Sequence, residues 1–104
     1  MFFLKIHESD NKTVCAICDS GILGKIFEEN ERVLDVDADF FGGEKMPPEK
    51  IKEIADSIKS ANTSSIIGNR IIAELVKMGA LKECSVKEMC GIKYAMVFRI
   101  RGSS

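Results

Sequence analysis

The hydrophobic period changes twice along this 104-residue chain, and that change constrains its fold more than any single motif does. Phe2, Leu4 and Ile6 alternate with Phe3, Lys5 and His7, the two-residue rhythm of a strand. Ser9-Asp10-Asn11-Lys12 supplies turn chemistry, and Thr13 to Cys18 is a second, almost continuously apolar run, so the two segments read as a hairpin. The period then becomes helical. Pro47-Pro48 suits a first helical turn, where a missing N–H costs nothing, and Ile51, Ile54, Ala55 and Ile58 fall on one face behind it. Ile67, Ile71, Leu75 and Met78 form another such stripe, entered through the cap-rich Ser60-Ala61-Asn62-Thr63-Ser64 and closed by Gly79.

Val86 to Met89 and Tyr94 to Arg101 return to strand rhythm, as a hairpin around Cys90-Gly91-Ile92-Lys93. Between the first hairpin and the first helix the pattern is weaker. Asp19-Ser20-Gly21 is a break, residues 22–29 read as a short helix or a loop, and Val33 to Val36 read as a third strand. The order predicts an α+β fold: a single domain over residues 1–104, with an antiparallel or mixed sheet of about five strands and two helices packed on one face.

A chain of this length buries roughly 60–65% of the surface its unfolded form exposes, so it needs no metal or disulfide staple. No apolar run approaches the roughly 20 residues of a membrane span, and the N-terminus is charged too soon for a signal peptide. The reading is therefore no membrane partner, a cytoplasmic location and reduced cysteines. A net charge of −1 argues against a strong non-specific polyanion binder, but the charge is uneven. Glu28, Glu29, Glu31, Asp35, Asp37, Asp39 and Glu44 are opposed over their stretch only by Arg32. Lys87, Lys93, Arg99 and Arg101 are opposed over theirs only by Glu88. A local anion site is compatible with that asymmetry.

Cys15-Ala16-Ile17-Cys18 has zinc-ligand spacing, yet strand residues three apart point to opposite faces, so the cysteines read as buried thiols and no metal or cofactor is expected. Asp35, Asp37 and Asp39 read as one acidic strand face with Val36 and Ala38 behind it; Phe40 stands where a calcium loop requires glycine. His7 is the only histidine, and no catalytic residue is assigned. The polar residues Asn62 to Ser65, then Gly68 and Arg70, place free N–H groups and a guanidinium at a helix start, which attracts phosphate. Capping alone explains the same residues, with Gly68 packed against the neighbouring helix.

On the last strand, Tyr94, Met96, Phe98 and Ile100 read as core-facing, leaving Lys93, Ala95, Val97, Arg99 and Arg101 on the reverse. Phe3, Lys5 and His7 join that reverse face if the first strand lies alongside. An aromatic among bases on an open sheet is how small domains hold single-stranded RNA. The candidate anion or nucleic-acid site is thus Asn62, Gly68, Arg70, Lys93, Arg99 and Arg101, with Phe41, Gly42 and Gly43 as a close-approach loop.

Leu23-Gly24-Lys25-Ile26-Phe27, Leu34-Asp35-Val36, Phe40-Phe41-Gly42-Gly43-Glu44, Ala61-Asn62, Ile67-Gly68-Asn69-Arg70 and Gly91-Ile92-Lys93-Tyr94-Ala95 together resemble a family of small uncharacterised archaeal proteins of unknown function. The family usually has tyrosine where this chain has Phe41, and often a proline-histidine pair at Lys93-Tyr94. The resemblance implies an RNA-associated or translation-linked accessory protein without an established reaction. Three functions follow as expectations: a non-enzymatic module binding RNA or a ribonucleoprotein, a small enzyme on a phosphorylated metabolite, and a protein-interaction subunit using the acidic strand.

Overall fold

The computed structural model describes residues 1–99. Strands β1 (Phe2–Ser9) and β2 (Lys12–Asp19) form the expected hairpin, closed by Asp10 and Asn11 at φ 52° and 64°. Two residues in the left-handed region give the turn whose twist matches that of paired strands, and Asp and Asn enter that region at low cost. The same device recurs twice. Asn30-Glu31 joins β3 (Ile26–Glu29) to β4 (Arg32–Asp35), and Cys90-Gly91 joins β7 (Lys87–Met89) to β8 (Ile92–Phe98).

A short helix, α1 (Ala38–Phe41), leads to β5 (Glu44–Met46). A 3-10 turn at Pro48–Lys50 opens α2 (Ile51–Ser60), as the proline pair predicts. Strand β6 (Thr63–Ile67) and helix α3 (Asn69–Lys77) follow. The main sheet has the order β5-β1-β2-β6-β8-β7; β2 and β6 run parallel and its other pairs antiparallel, while β3 and β4 pair only with each other. The α+β class, the mixed sheet and the two helices on one face agree with the expectation; the sheet has six strands rather than about five.

Helices α2 and α3 cover one face of the sheet. Ile54, Ile58, Ile71 and Leu75 pack there against Phe2, Leu4, Ile17 and Ile66, all buried. The β3–β4 hairpin and α1 form a lobe over part of the other face, where Val36 and Phe41 meet Ala16, Cys18 and Ile67.

Three expectations are corrected. Thr63 to Ile67 form a central strand, not the start of a helix. The segment is hydrogen-bonded to β2 on one edge and β8 on the other, and Ile66 and Ile67 bury opposite faces, which a strand allows and a helix stripe does not. Asp35, Asp37 and Asp39 do not share a strand face. The strand ends at Asp35, and Asp37 turns to cap α1, its Oδ1 accepting from Asp39 N at 3.1 Å.

The faces of β8 are also the reverse of the expectation. Ala95 and Val97 lie under the helices, while Met96 and Phe98 are exposed on the other side. Ala95 and Val97 share a core cluster with Ile71, Ile72 and Leu75, so helix side chains supply the bulk on that face of β8.

Candidate functional site

The start of α3 shows why the anticipated anion site is not vacant. Gly68 precedes the helix at φ 136°, and a Cβ there would stand 2.5 Å from the Asp19 carboxyl carbon. Asp19, at the end of β2, accepts from Arg70 N at 2.9 Å and from Ile71 N at 2.8 Å. A side-chain carboxylate therefore occupies the position a phosphate would take, and the close approach that Gly68 permits serves this internal cap. A phosphorylated metabolite has the same position denied to it. Asn69 is engaged as well: its Nδ2 donates to Gly91 O at 2.9 Å, and its Oδ1 accepts from Lys93 N at 2.8 Å.

The other nominated residues do not converge on one surface. Asn62 and Arg99 lie at the opposite end of β6 from Gly68 and Arg70, about 20 Å away at the rise of a strand. Asn62 Oδ1 accepts from Thr13 N at 2.8 Å, and Arg99 Nε donates to Ile58 O at 3.1 Å on the helix side. Lys93 lines a hollow with Ile72 and Val76, also on the helix side, and Arg70 is exposed at the helix start. Arg101 lies outside the described residues. The close approach at Gly43 is real but internal, since a Cβ there would run into Leu4 O and Lys5 Cβ of β1. Gly42 lies equally close to the Ala38 carbonyl, and Phe41 is buried.

A different site emerges on the half-covered face. Register across the strands sets out three rows there: Phe3, Cys18, Ile67 and Tyr94; Lys5, Ala16, Ser65 and Met96; His7, Val14, Thr63 and Phe98. The lobe packs on the first row and leaves the others partly bare. Between lobe and bare rows runs a groove of about 420 Å³, lined by Val14, Leu34, Phe40, Phe41, Ile67 and Met96, with the hydroxyls of Thr63 and Ser65 on its floor. Asp35 and Asp37 also line it.

The lobe is fastened from several sides. His7 stacks on Phe40 with ring centroids 4.6 Å apart, and its Nε2 donates to the Phe40 carbonyl at 2.8 Å. Lys5 Nζ donates to Asp39 O at 2.7 Å. At the far end, Cys90 N donates to Glu29 Oε1 at 2.9 Å and Arg32 donates to the Tyr94 hydroxyl at 2.9 Å. Arg32 is thus turned away from the groove carboxylates, and the single ion pair among the described residues is Lys50–Glu53 at 4.0 Å. Asp35 and Asp37 line the groove, and neither forms an ion pair among the described residues.

Sequence reading missed Thr63, Ser65, Met96 and Phe98 as site residues. Alternation along β8 is legible in the sequence, but which phase faces the helices depends on what packs above the strand.

The cysteines separate into two classes. Cys15 and Cys18 are buried on opposite faces, while Cys84 and Cys90, also expected to be buried, are exposed. Burial pushes both interior thiols up to about 12. Thiol reagent at mildly alkaline pH is expected to modify Cys84 and Cys90 in the folded protein and to reach Cys15 and Cys18 only after denaturation. Because the folded thiols hold their protons more tightly than the unfolded reference near 9.0, stability contributed by Cys15 and Cys18 is complete below pH 9. It is lost as pH rises toward 12, and alkaline melting curves of a Cys15→Ala/Cys18→Ala variant should show a smaller decline.

Fold and groove together define a small α+β domain with a half-open sheet. The family model described as "Protein of unknown function (DUF424)" matches residues 7–100, and the chain belongs to that family. It is similar in fold to an uncharacterised conserved protein from Methanopyrus kandleri, with TM-score 0.76 and 23% identity over 99% of this chain and 97% of that one. No curated protein matches it. Several of the sequence blocks that carried the resemblance are hydrogen-bonded to one another. Gly24 N donates to Val36 O at 2.7 Å and Val36 N to Lys25 O at 2.9 Å, and Asn69 links the 67–70 block to the 91–95 block.

Proposed function

We propose that the protein is a non-enzymatic binding module that holds a protein segment in the groove between lobe and sheet. One observation carries this reading: an apolar trough is lined also by two carboxylates that form no ion pair among the described residues. An apolar trough with a few placed polar groups is the usual form of a binding site, and unpaired charge at its rim selects a partner of opposite sign. The fitting ligand is a segment with a large apolar side chain next to lysine or arginine.

Met96→Asp places a charge in the trough and is expected to abolish capture of a stoichiometric partner by the tagged protein. Asp35→Asn with Asp37→Asn keeps the α1 cap, since Asn caps as well as Asp, and is expected to weaken capture and flatten its salt dependence. Capture unchanged in both variants would remove the groove from consideration.

RNA, alone or in a ribonucleoprotein, is a second reading supported by a separate observation. Phe98 is 69% exposed on the same face as Tyr94 and Met96, and Lys87 stands opposite Tyr94. An exposed ring beside bases on a sheet is a stacking platform for single strands, worth about 1–3 kcal/mol per base. Filter binding at low salt is then expected to fall at least tenfold in Phe98→Ala. Wild-type protein that retains no RNA under those conditions would exclude this reading.

A further inference from the structure

On the helix side of the sheet, away from the groove, a hollow of about 270 Å³ opens between α3 and the β7–β8 hairpin. Ile72, Val76 and Val86 give it apolar walls that are continuous with the main core. Ala73 and Val76 stand three residues apart on one ridge of α3, and both are too short to close it.

Three charged side chains share the lining. Lys77 ends α3, Lys93 stands on the helix-facing side of β8 with Ala95 and Val97, and Glu83 opens the 3-10 turn Glu83–Ser85. None of the three forms an ion pair among the described residues, although Glu88 lies opposite Lys93 across the hairpin. Two ammonium groups and one carboxylate therefore border an apolar hollow.

We propose that this hollow binds a small apolar α-amino acid, of the size of valine or leucine. The volume sets the size: about 270 Å³ lies below the roughly 300–1,000 Å³ of pockets that take drug-sized ligands. The charges set the polar end. Lys77 and Lys93 hold the ligand carboxylate, Glu83 holds its ammonium group, and its side chain displaces water from Ile72, Val76 and Val86. Inorganic phosphate matches neither feature, because it brings only negative charge to Glu83 and no apolar body to the walls. Lys77, Glu83 and Lys93 are exposed, so binding is modest and weakens with added salt. The hollow and the groove lie on opposite faces of the sheet, and this inference stands whether or not the groove takes a partner.

Amide chemical shifts of the isotope-labelled full chain, titrated with leucine, isocaproate, isoamylamine and inorganic phosphate, test it. Leucine is expected to move the Ile72, Val76, Val86 and Lys93 amides saturably, with a Kd on the order of 1 mM. Val14 and Thr63, in the groove, should stay where they are. Isocaproate lacks the ammonium group and should bind about fivefold more weakly, while isoamylamine, without the carboxylate, and phosphate should not bind. Lys77→Ala with Lys93→Ala is expected to weaken leucine about tenfold. Ala73→Leu fills the hollow without touching a charge; it should abolish binding and leave circular dichroism unchanged, since residue 73 is exposed.

Leucine shifts that never saturate overturn the proposal. So do shifts that persist unchanged in Ala73→Leu or in the double lysine variant. Isocaproate, isoamylamine or phosphate binding at these amides as tightly as leucine overturns the amino-acid assignment.

Discussion

Gly68→Ala is expected to destabilise the fold by about 3 kcal/mol, roughly 12–24 °C in melting temperature for a domain of this size. Two costs combine. The backbone stands at φ 136° and ψ 138°, a region open in practice only to glycine. The added Cβ would also meet the Asp19 carboxyl group at 2.5 Å. Relief by moving Asp19 is expensive, since that carboxylate satisfies the Arg70 and Ile71 N–H groups at the start of α3. Asp19→Ala alone is expected to cost about 1–2 kcal/mol, as loss of a helix cap does.

The double variant separates the two costs. With the carboxylate gone the clash disappears and only backbone strain remains, so the sum of the single effects should exceed the double effect by about 1 kcal/mol or more. Thermal melts of the four proteins measure it. Strict additivity would show that Gly68 and Asp19 are not the coupled pair described here.

Phe41→Ala is expected to cost about 3–5 kcal/mol, the range for removing a buried phenylalanine. Phe41 joins the lobe to the sheet: it packs with Val36, Ala16, Cys18 and Ile67 and also lines the groove. The loss should accordingly be local before it is global. Amide exchange is expected to accelerate through residues 20–43, while β1, β2 and β6, packed mainly under α2 and α3, keep more of their protection. Partner capture through the groove should vanish in the same variant. Uniform acceleration across the whole sheet would mean that lobe and sheet unfold as one unit.

How far the fold could be read from residues depended on the range of the interactions involved. Asp10-Asn11, Asn30-Glu31 and Cys90-Gly91 close their hairpins through backbone preferences of the turn residues, and two of these hairpins were legible directly. The third was obscured because β3 is short and buries only Phe27 partially, so its alternation was too weak to register. The helix over Ile51 to Ile58 was equally plain, as its proline start and apolar stripe are local properties.

Thr63 to Ile67 misled for the opposite reason. Ile67, Ile71 and Leu75 do recur at four-residue spacing, but Ile67 buries its side chain under the lobe and Ile71 under α3's own face of the sheet. The candidate site was less legible than the fold. Lys93 and Arg99 belong to the excess of bases near the C-terminal end, yet the length of β8 keeps them apart, and Arg70 stands separately at the start of α3.

The amino-acid sequence by itself determined the α+β class, the first and last hairpins, α2, and the placement of Cys15 and Cys18 on opposite faces of a strand, while their burial was decided by what packs on each face. Each follows from turn chemistry or from hydrophobic period within a few residues. Tertiary structure alone decided that residues 63–67 become the central strand, that Met96 and Phe98 face outward, and that Asp19 fills the anion position before α3. These outcomes turn on which chain segment lies alongside or above, and the competition for hydrogen-bond edges and packing volume is settled between residues tens of positions apart.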